Sequence, residues 1–298
     1  MPLNNDRKRG SSGPSGGPSI YALTWFMALG LLLFFSFCGS ILLGIAADSV
    51  TLDGRIDISP RNFFLAAAAL QILFLFVPTV MLARRHPLGL VEVLRLRMPA
   101  PRWWLLVTIA IVTALVVSGF WGLFQEVYLV PADLTDWYLA QKGEQEALLE
   151  RMMVGGSIPL LLLGIFSIGA MTGLAEESFF RGLVQRGFEE ERPAALAIAL
   201  TAILFAAVHF QAINLIPLIG LGLLLGFITW RSGSILPAIY GHALFNSLQL
   251  GIVNAKDMPY GLDDPSFTAT PAILLESLPI VLISAGILLV TIALMRRS

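Results

Sequence analysis

The stretch "IPLLLLGIFSIGAMTGLAEESFFRG", Ile158 to Gly182, decides how the rest of the chain is read. It begins as a run apolar enough to sit in lipid, then sets Glu176 and Glu177 side by side, with Arg181 one helical turn beyond Glu177. An ionised carboxylate held away from water costs several kcal/mol or more unless it is paired or functional. A membrane-crossing helix with a polar centre accounts for both halves of the stretch. The pair of glutamates then needs a chemical reason.

The surroundings agree with a membrane setting. The chain has 298 residues, of which 56% are hydrophobic and only 13% charged, whereas soluble domains carry about 25% charged residues. The net charge of −1 gives no electrostatic basis for nucleic acid as a partner. The single cysteine, Cys38, excludes an internal disulfide and a cysteine metal cluster. Composition therefore points to a membrane-embedded polytopic protein and nothing finer; the long apolar runs add the expectation of an all-α fold whose partners include membrane lipids.

At ~20 apolar residues per span, eight spans are expected: Ile20–Ala47, Phe63–Ala83, Trp103–Phe124, Ile158–Gly187, Ala194–Phe210, Leu215–Trp230, Ser234–Val253 and Ala272–Met295. The organisation reads as a disordered cytoplasmic tail (1–19), amino-terminal membrane helices (20–130), an acidic amphipathic outer segment (131–157), a core (158–253), and an outer loop with the last span (254–298). The first apolar run is too long for a signal-peptide core and reads as an uncleaved span. Trp103, Trp104 and Trp230 fall at span ends, where amphipathic rings anchor at the interface.

Charge sets the orientation. With the amino terminus inside, only Arg55, Arg61, Lys142, Arg151 and Lys256 of the 19 Lys and Arg residues lie in outer loops, which leaves 19 − 5 = 14 on the inner side. That asymmetry is what the positive-inside rule expects, and an even number of spans puts both termini in the cytoplasm.

Two further polar centres lie in the later spans. His209 ends "LFAAVHF", and His242 sits in "PAIYGHALFN" with Asn246 one turn on, on the same helix face. Counting from the inner boundary at ~1.5 Å per residue puts Glu176 about 15 Å deep, His242 about 16 Å and His209 about 25 Å. Each has an ordinary alternative. A histidine or asparagine in a span can simply bridge helices, and Arg181 can hold a glutamate by i,i+4 pairing. The adjacent glutamates resist that explanation. Successive helical residues point about 100° apart, so while one holds Arg181 the other faces elsewhere. His86, in "RRHPLG", reads as a solvated loop residue.

The motifs "EESFFR" (Glu176 to Arg181), "FAAVH" (Phe205 to His209) and "HALFN" (His242 to Asn246) resemble the EExxxR, FxxxH and HxxxN motifs of the CPBP family. That family includes the Rce1-type CAAX prenyl endopeptidases and the bacteriocin-immunity (Abi) proteins. The motifs occur in the family's order on successive expected spans. The resemblance implies an intramembrane endopeptidase of about eight transmembrane helices enclosing a cytoplasm-facing polar cavity. Glu176 would activate water, His209 would support it, His242 and Asn246 would stabilise the oxyanion, and Glu177 with Arg181 would hold the geometry. It leaves the cofactor open between none and Zn²⁺. Glu176, His209 and His242 could supply three ligands, yet no HExxH motif is present and a glutamate-dependent mechanism needs no metal.

The resemblance implies a peptide or membrane-protein substrate, of prenylated CAAX-like type in the eukaryotic members. A basic inner tail and compact loops fit a bacterial inner membrane. A non-catalytic immunity or scaffold protein of the same fold is the alternative. A proton-coupled transporter is a third reading, but it lacks broken-helix repeats and leaves the His242–Asn246 spacing without a role.

Overall fold

The computed structural model describes residues 56–86, 88–255 and 269–297 without a break, together with 30, 33–34, 37–39, 41–42 and 44–50. The expected tail at 1–19, much of the first expected span and most of the outer loop at 254–270 lie outside the described residues. The described residues of the first expected span from 30 to 46 are helical.

Among the described residues the chain is helical, apart from a two-residue antiparallel pair, Ser49↔Asp57 and Val50↔Ile56. The helices are α1 (Pro60–Arg85), α2 (Gly89–Val93), α3 (Arg102–Tyr128), α4 (Thr135–Glu150), α5 (Ile158–Glu191), α6 (Ala194–Ala207), α7 (Leu215–Ser232), α8 (Leu236–Val253) and α9 (Pro271–Arg296). They occupy the ranges expected for the second to eighth spans, with α4 as the acidic outer segment. Five of them are long and apolar enough to cross a membrane: α1, α3, α5, α9, and α7 with the short turn Ala212–Asn214 before it. The 14 residues of α6 are fewer than a full span needs. In α8, His242, Asn246 and Gln249 dilute an otherwise apolar sequence.

Local sequence explains the boundaries. Proline stands in the first turn of α1, α5, α8 and α9, where its missing N–H leaves nothing unsatisfied. Thr270 caps α9 by accepting from the Ile273 N–H. Gly233 closes α7 in the left-handed region at φ 66°, which a residue without Cβ adopts freely. At the other end of α8, Asn254 accepts from the Val154 N–H at 2.8 Å and donates to the Met152 carbonyl at 3.1 Å. That side chain ties the end of α8 to the approach of α5.

Three stretches are wound as π-helix: Leu70–Phe76 in α1, and Ile165–Met171 and Ser178–Val184 in α5. A wide turn rotates the side chains after it and loosens carbonyls for outside donors, and such turns concentrate at functional sites. The glutamate pair lies on α5 between its two π stretches.

Close helix approach fixes where α5 sits. A Cβ on Gly173 would lie 3.0 Å from both the Ala243 nitrogen and the Ile239 oxygen, so only glycine lets the backbones of α5 and α8 meet there. A Cβ on Gly222 would lie 2.9 Å from the Ala202 Cα, which sets α6 equally tightly against α7. Helices α5 and α7 run parallel and are joined by two rungs. Arg181 Nη2 donates to the Gly222 carbonyl at 3.1 Å, and Gln185 Nε2 donates to the Gly226 carbonyl at 3.2 Å.

The loop between α1 and α3 folds back against this core. Arg95 is buried with a left-handed φ of 49° and is ion-paired to Glu189, while its carbonyl accepts from the Ile235 N–H. His86 is not simply solvated, since its Nδ1 accepts from the Leu88 N–H at 3.2 Å. The tryptophans also divide. Trp103 is 3% exposed and packs with Val107, Ile111 and Ile228, so it is core rather than interfacial anchor. Trp104 and Trp103 are neighbours on a helix and cannot share a face. Trp104 meets Tyr240 edge-on, and Trp230 is the exposed one.

Candidate active site

Helices α1, α5 and α8 and the turn after α6 bring the polar residues of four distant segments together. Glu176, 12% exposed at its side chain, is the centre. Its Oε1 accepts from Gln71 Nε2 of α1 at 3.0 Å. Its Oε2 faces His209 Nε2 and His242 Nε2, each at 4.0 Å, and has no hydrogen-bond partner.

The histidines are aimed by their other nitrogens. His209 Nδ1 lies 2.6 Å from the Phe205 carbonyl. A carbonyl can only accept, so Nδ1 carries the proton and Nε2 is left to face Glu176. His242 Nδ1 lies 2.8 Å from Glu177 Oε1, and the same logic turns its Nε2 to Glu176. In the neutral form both Nε2 atoms are acceptors. A doubly protonated His242 donates on both sides.

Glu177 points away from Glu176, as adjacent helical residues must. Its Oε1 accepts from Arg181 Nη1 at 2.9 Å as well as from His242, and both Glu177 and Arg181 are fully buried. The guanidinium also lies over the Phe205 ring, 4.8 Å from its centroid. That ring touches His209 at 4.7 Å and His242 at 5.9 Å between centroids. Phe205 thus packs against the arginine and both imidazoles, which gives the phenylalanine of "FAAVH" a physical task. Removing one partner of a buried pair of this kind leaves an uncompensated charge, at a cost of roughly 3–5 kcal/mol.

Asn246 sits one turn after His242 on α8, and its Nδ2 donates to the Ile168 carbonyl at 3.0 Å. Ile168 belongs to a π stretch of α5, where a carbonyl is free to take an outside donor. A side-chain amide has two N–H groups, so one remains for another acceptor.

The structure therefore brings Glu176, Glu177, Arg181, His209, His242 and Asn246 into one cluster. It adds Gln71, which the motifs do not include. The signal for Gln71 was a lone amide in "FFLAAAALQILFLF", the only polar side chain in that apolar run. Two grooves elsewhere, one large and apolar and one small and polar, are lined by other residues.

Zinc can be tested against the donor set. Ligands on a tetrahedral zinc with bonds of ~2.0–2.1 Å sit ~3.3 Å apart. The two Nε2 atoms are each 4.0 Å from Glu176 Oε2, and no group of three His, Cys, Asp or Glu among the described residues is gathered to hold an ion. As placed, these residues do not fit the metal.

A family model described as type II CAAX prenyl endopeptidase, Rce1-like, matches residues 158–248. No curated protein and no solved structure matches the chain. The family is one of membrane-embedded CAAX-type proteases, and five helices long enough to span accord with an integral membrane protein. The matched segment runs from the start of α5 into α8 and holds every member of the polar cluster except Gln71, so it is over residues 158–248 that the chain is similar to the Rce1-like family.

Proposed function

We propose that the protein is an intramembrane endopeptidase that hydrolyses a peptide bond in a membrane-associated or CAAX-like substrate by glutamate-activated water. The observation that carries this reading is the asymmetric environment of Glu176. One oxygen is held by Gln71, and the other faces two imidazole nitrogens across a water-sized distance.

In this reading a water lies between Glu176 Oε2 and His209 Nε2. Glu176 takes one proton as the water oxygen attacks the scissile carbonyl carbon, and His209 accepts a hydrogen bond that orients the nucleophile. The carbonyl π pair moves onto oxygen. Protonated His242 and the free N–H of Asn246 donate to that oxyanion. As the tetrahedral intermediate collapses, the C–N bond breaks and Glu176 returns its proton to the leaving amine. Glu177 and Arg181 touch neither substrate nor water. They hold the ring of His242.

The rest of the proposal follows from a water-consuming reaction in lipid. Water must reach Glu176, so we place the eight spans around a polar cavity open to the cytoplasm, with both termini on that side, in a bacterial inner membrane. The test is a comparison of new peptide termini in membranes carrying the wild-type protein or Glu176→Gln. Termini present only with wild type are expected. Identical sets in the two membranes would replace proteolysis with the scaffold reading.

A further inference from the structure

A long groove among the described residues lies away from the glutamates. It has a volume of about 1140 Å³ and runs between α3, α7 and α9, with the first residues of α6 at one end. Along α7 it extends from Ile216 to Arg231, about 22 Å at ~1.5 Å per residue. That exceeds the ~15 Å depth of one hydrocarbon leaflet. The three flanking helices are all long and apolar enough to span, which puts the groove at the depth of a bilayer.

The lining is apolar along its length and basic at one end. Arg231 and Arg296 close that end beside Trp230. Arg231 is already held in place: its guanidinium lies over the Trp230 ring at 5.7 Å, and its Nη2 donates to the Arg296 carbonyl at 2.6 Å. A polar pocket of about 290 Å³ adjoins the same end and shares Ala194 and Trp230 with the groove. It is lined by Arg186, Glu189 and Glu190. The Glu189 carboxylate is engaged by Arg95 and Gln185, whereas Arg186 Nε is buried without a hydrogen-bond partner. Glu190 is exposed and faces His86 Nε2 at 4.0 Å. The mouth thus offers three guanidinium groups against one carboxylate not already paired to arginine.

A long apolar trench that ends in clustered arginines and an indole matches one kind of molecule. We propose that this groove holds a single anionic phospholipid, with an acyl chain along α7 and its phosphate among Arg231, Arg296 and Arg186. The lipid is a resident ligand outside the polar cluster. It would fix α9 and α3 against α7, since its chain touches all three.

Gly220 makes the chain site testable, because it lines the groove and a Cβ added there has open space around it, so a larger side chain can grow into the groove. The full-length protein is purified in detergent, given equal amounts of phosphatidylglycerol and phosphatidylcholine with the same chains, and examined by native mass spectrometry. One retained phosphatidylglycerol per protein is expected, in preference to phosphatidylcholine. Arg231→Gln and Arg296→Gln should each lower retention about fivefold, the scale of one basic residue near an anionic surface. Gly220→Trp should abolish it with unchanged gel-filtration profile and melting temperature, and Ala195→Trp, on α6, serves the same purpose if that variant does not fold. Glycerol phosphate without chains should not compete. Equal retention of the two lipids, retention unmoved by the arginine variants, or a lipid-free dimer would overturn the proposal.

Discussion

Gln71 and Glu176 are 105 residues apart in sequence, on helices separated by three others, and their side chains meet at 3.0 Å. The amide donates to one carboxylate oxygen and so leaves the second oxygen aimed at His209 and His242. A hydrogen bond to a charged group is worth about 1.5–3 kcal/mol. Gln71→Leu should therefore lower kcat roughly tenfold to hundredfold with little change in KM, because in the proposed mechanism it acts through Glu176 and not on the substrate. Gln71→Asn, with the amide drawn back by one methylene, should fall between. A Gln71→Leu enzyme with full kcat would remove the positioning role.

Glu176 and Asn246 should differ in severity. Glu176→Gln is nearly isosteric but cannot take a proton from water, and loss of a general base costs ~10²–10⁴-fold in rate. Asn246→Ala removes one donor to the oxyanion, where a comparable loss is about 10²–10³-fold in kcat. Asn246→Ala also frees the Ile168 carbonyl, so its melting temperature should drop slightly while that of Glu176→Gln holds. Cleavage of a labelled lipopeptide in proteoliposomes, followed with melting curves, separates the two.

Arg181→Ala should act on folding before it acts on rate. It strands Glu177, which is fully buried, at a cost of roughly 3–5 kcal/mol. Folded yield should fall sharply. The double variant Arg181→Leu with Glu177→Leu should recover much of the yield and none of the activity, since His242 then loses its Nδ1 partner. Monodisperse protein after detergent extraction is the measurement.

Chelation addresses the cofactor. Dialysis against a strong chelator should leave cleavage intact, because Glu176 and a polarised water suffice. Activity lost with the metal and restored by stoichiometric zinc would mean that Glu176, His209 and His242 draw closer than their 4.0 Å spacing.

Orientation can be read with reporter fusions. Fusions after Leu94 and after Ser232 should report the cytoplasm, and one after Gly143, on α4, the outer side. A cytoplasmic signal at Gly143 would reverse the threading of α5 to α8.

The parts of this site legible in sequence were those set by spacing along one helix. Glu177 with Arg181 follows from an i,i+4 interval, as does the placing of His242 and Asn246 on one face. What sequence could not give was rotation between helices. Glu177 serves His242 as well as Arg181, and Gln71 reaches Glu176, only because π turns and close glycine contacts turn those helices as they do. Trp103 shows the same limit. Its position at a span end suggested anchoring, but the face it occupies on α3 points into the core. The helical ranges of the later spans were readable from apolar run length alone. The short α6 and the polar α8 still form helices there because their neighbours enclose them.

The two rungs between α5 and α7 behave as a keyed lock. A slide of one residue, ~1.5 Å, or a turn of 100° breaks both rungs at once. A slide of one full turn restores the spacing but not the fit. In one direction Arg181 would meet Leu218 where it now meets Gly222; in the other, Gln185 would meet Trp230 in place of Gly226. Gly226 stands where the present register needs it, since a Cβ there would lie 2.8 Å from Gln185 Oε1. The glutamates are therefore held in register with α7, and on the proposed reading a motion that admits a substrate is expected in the helices on their other side rather than between α5 and α7.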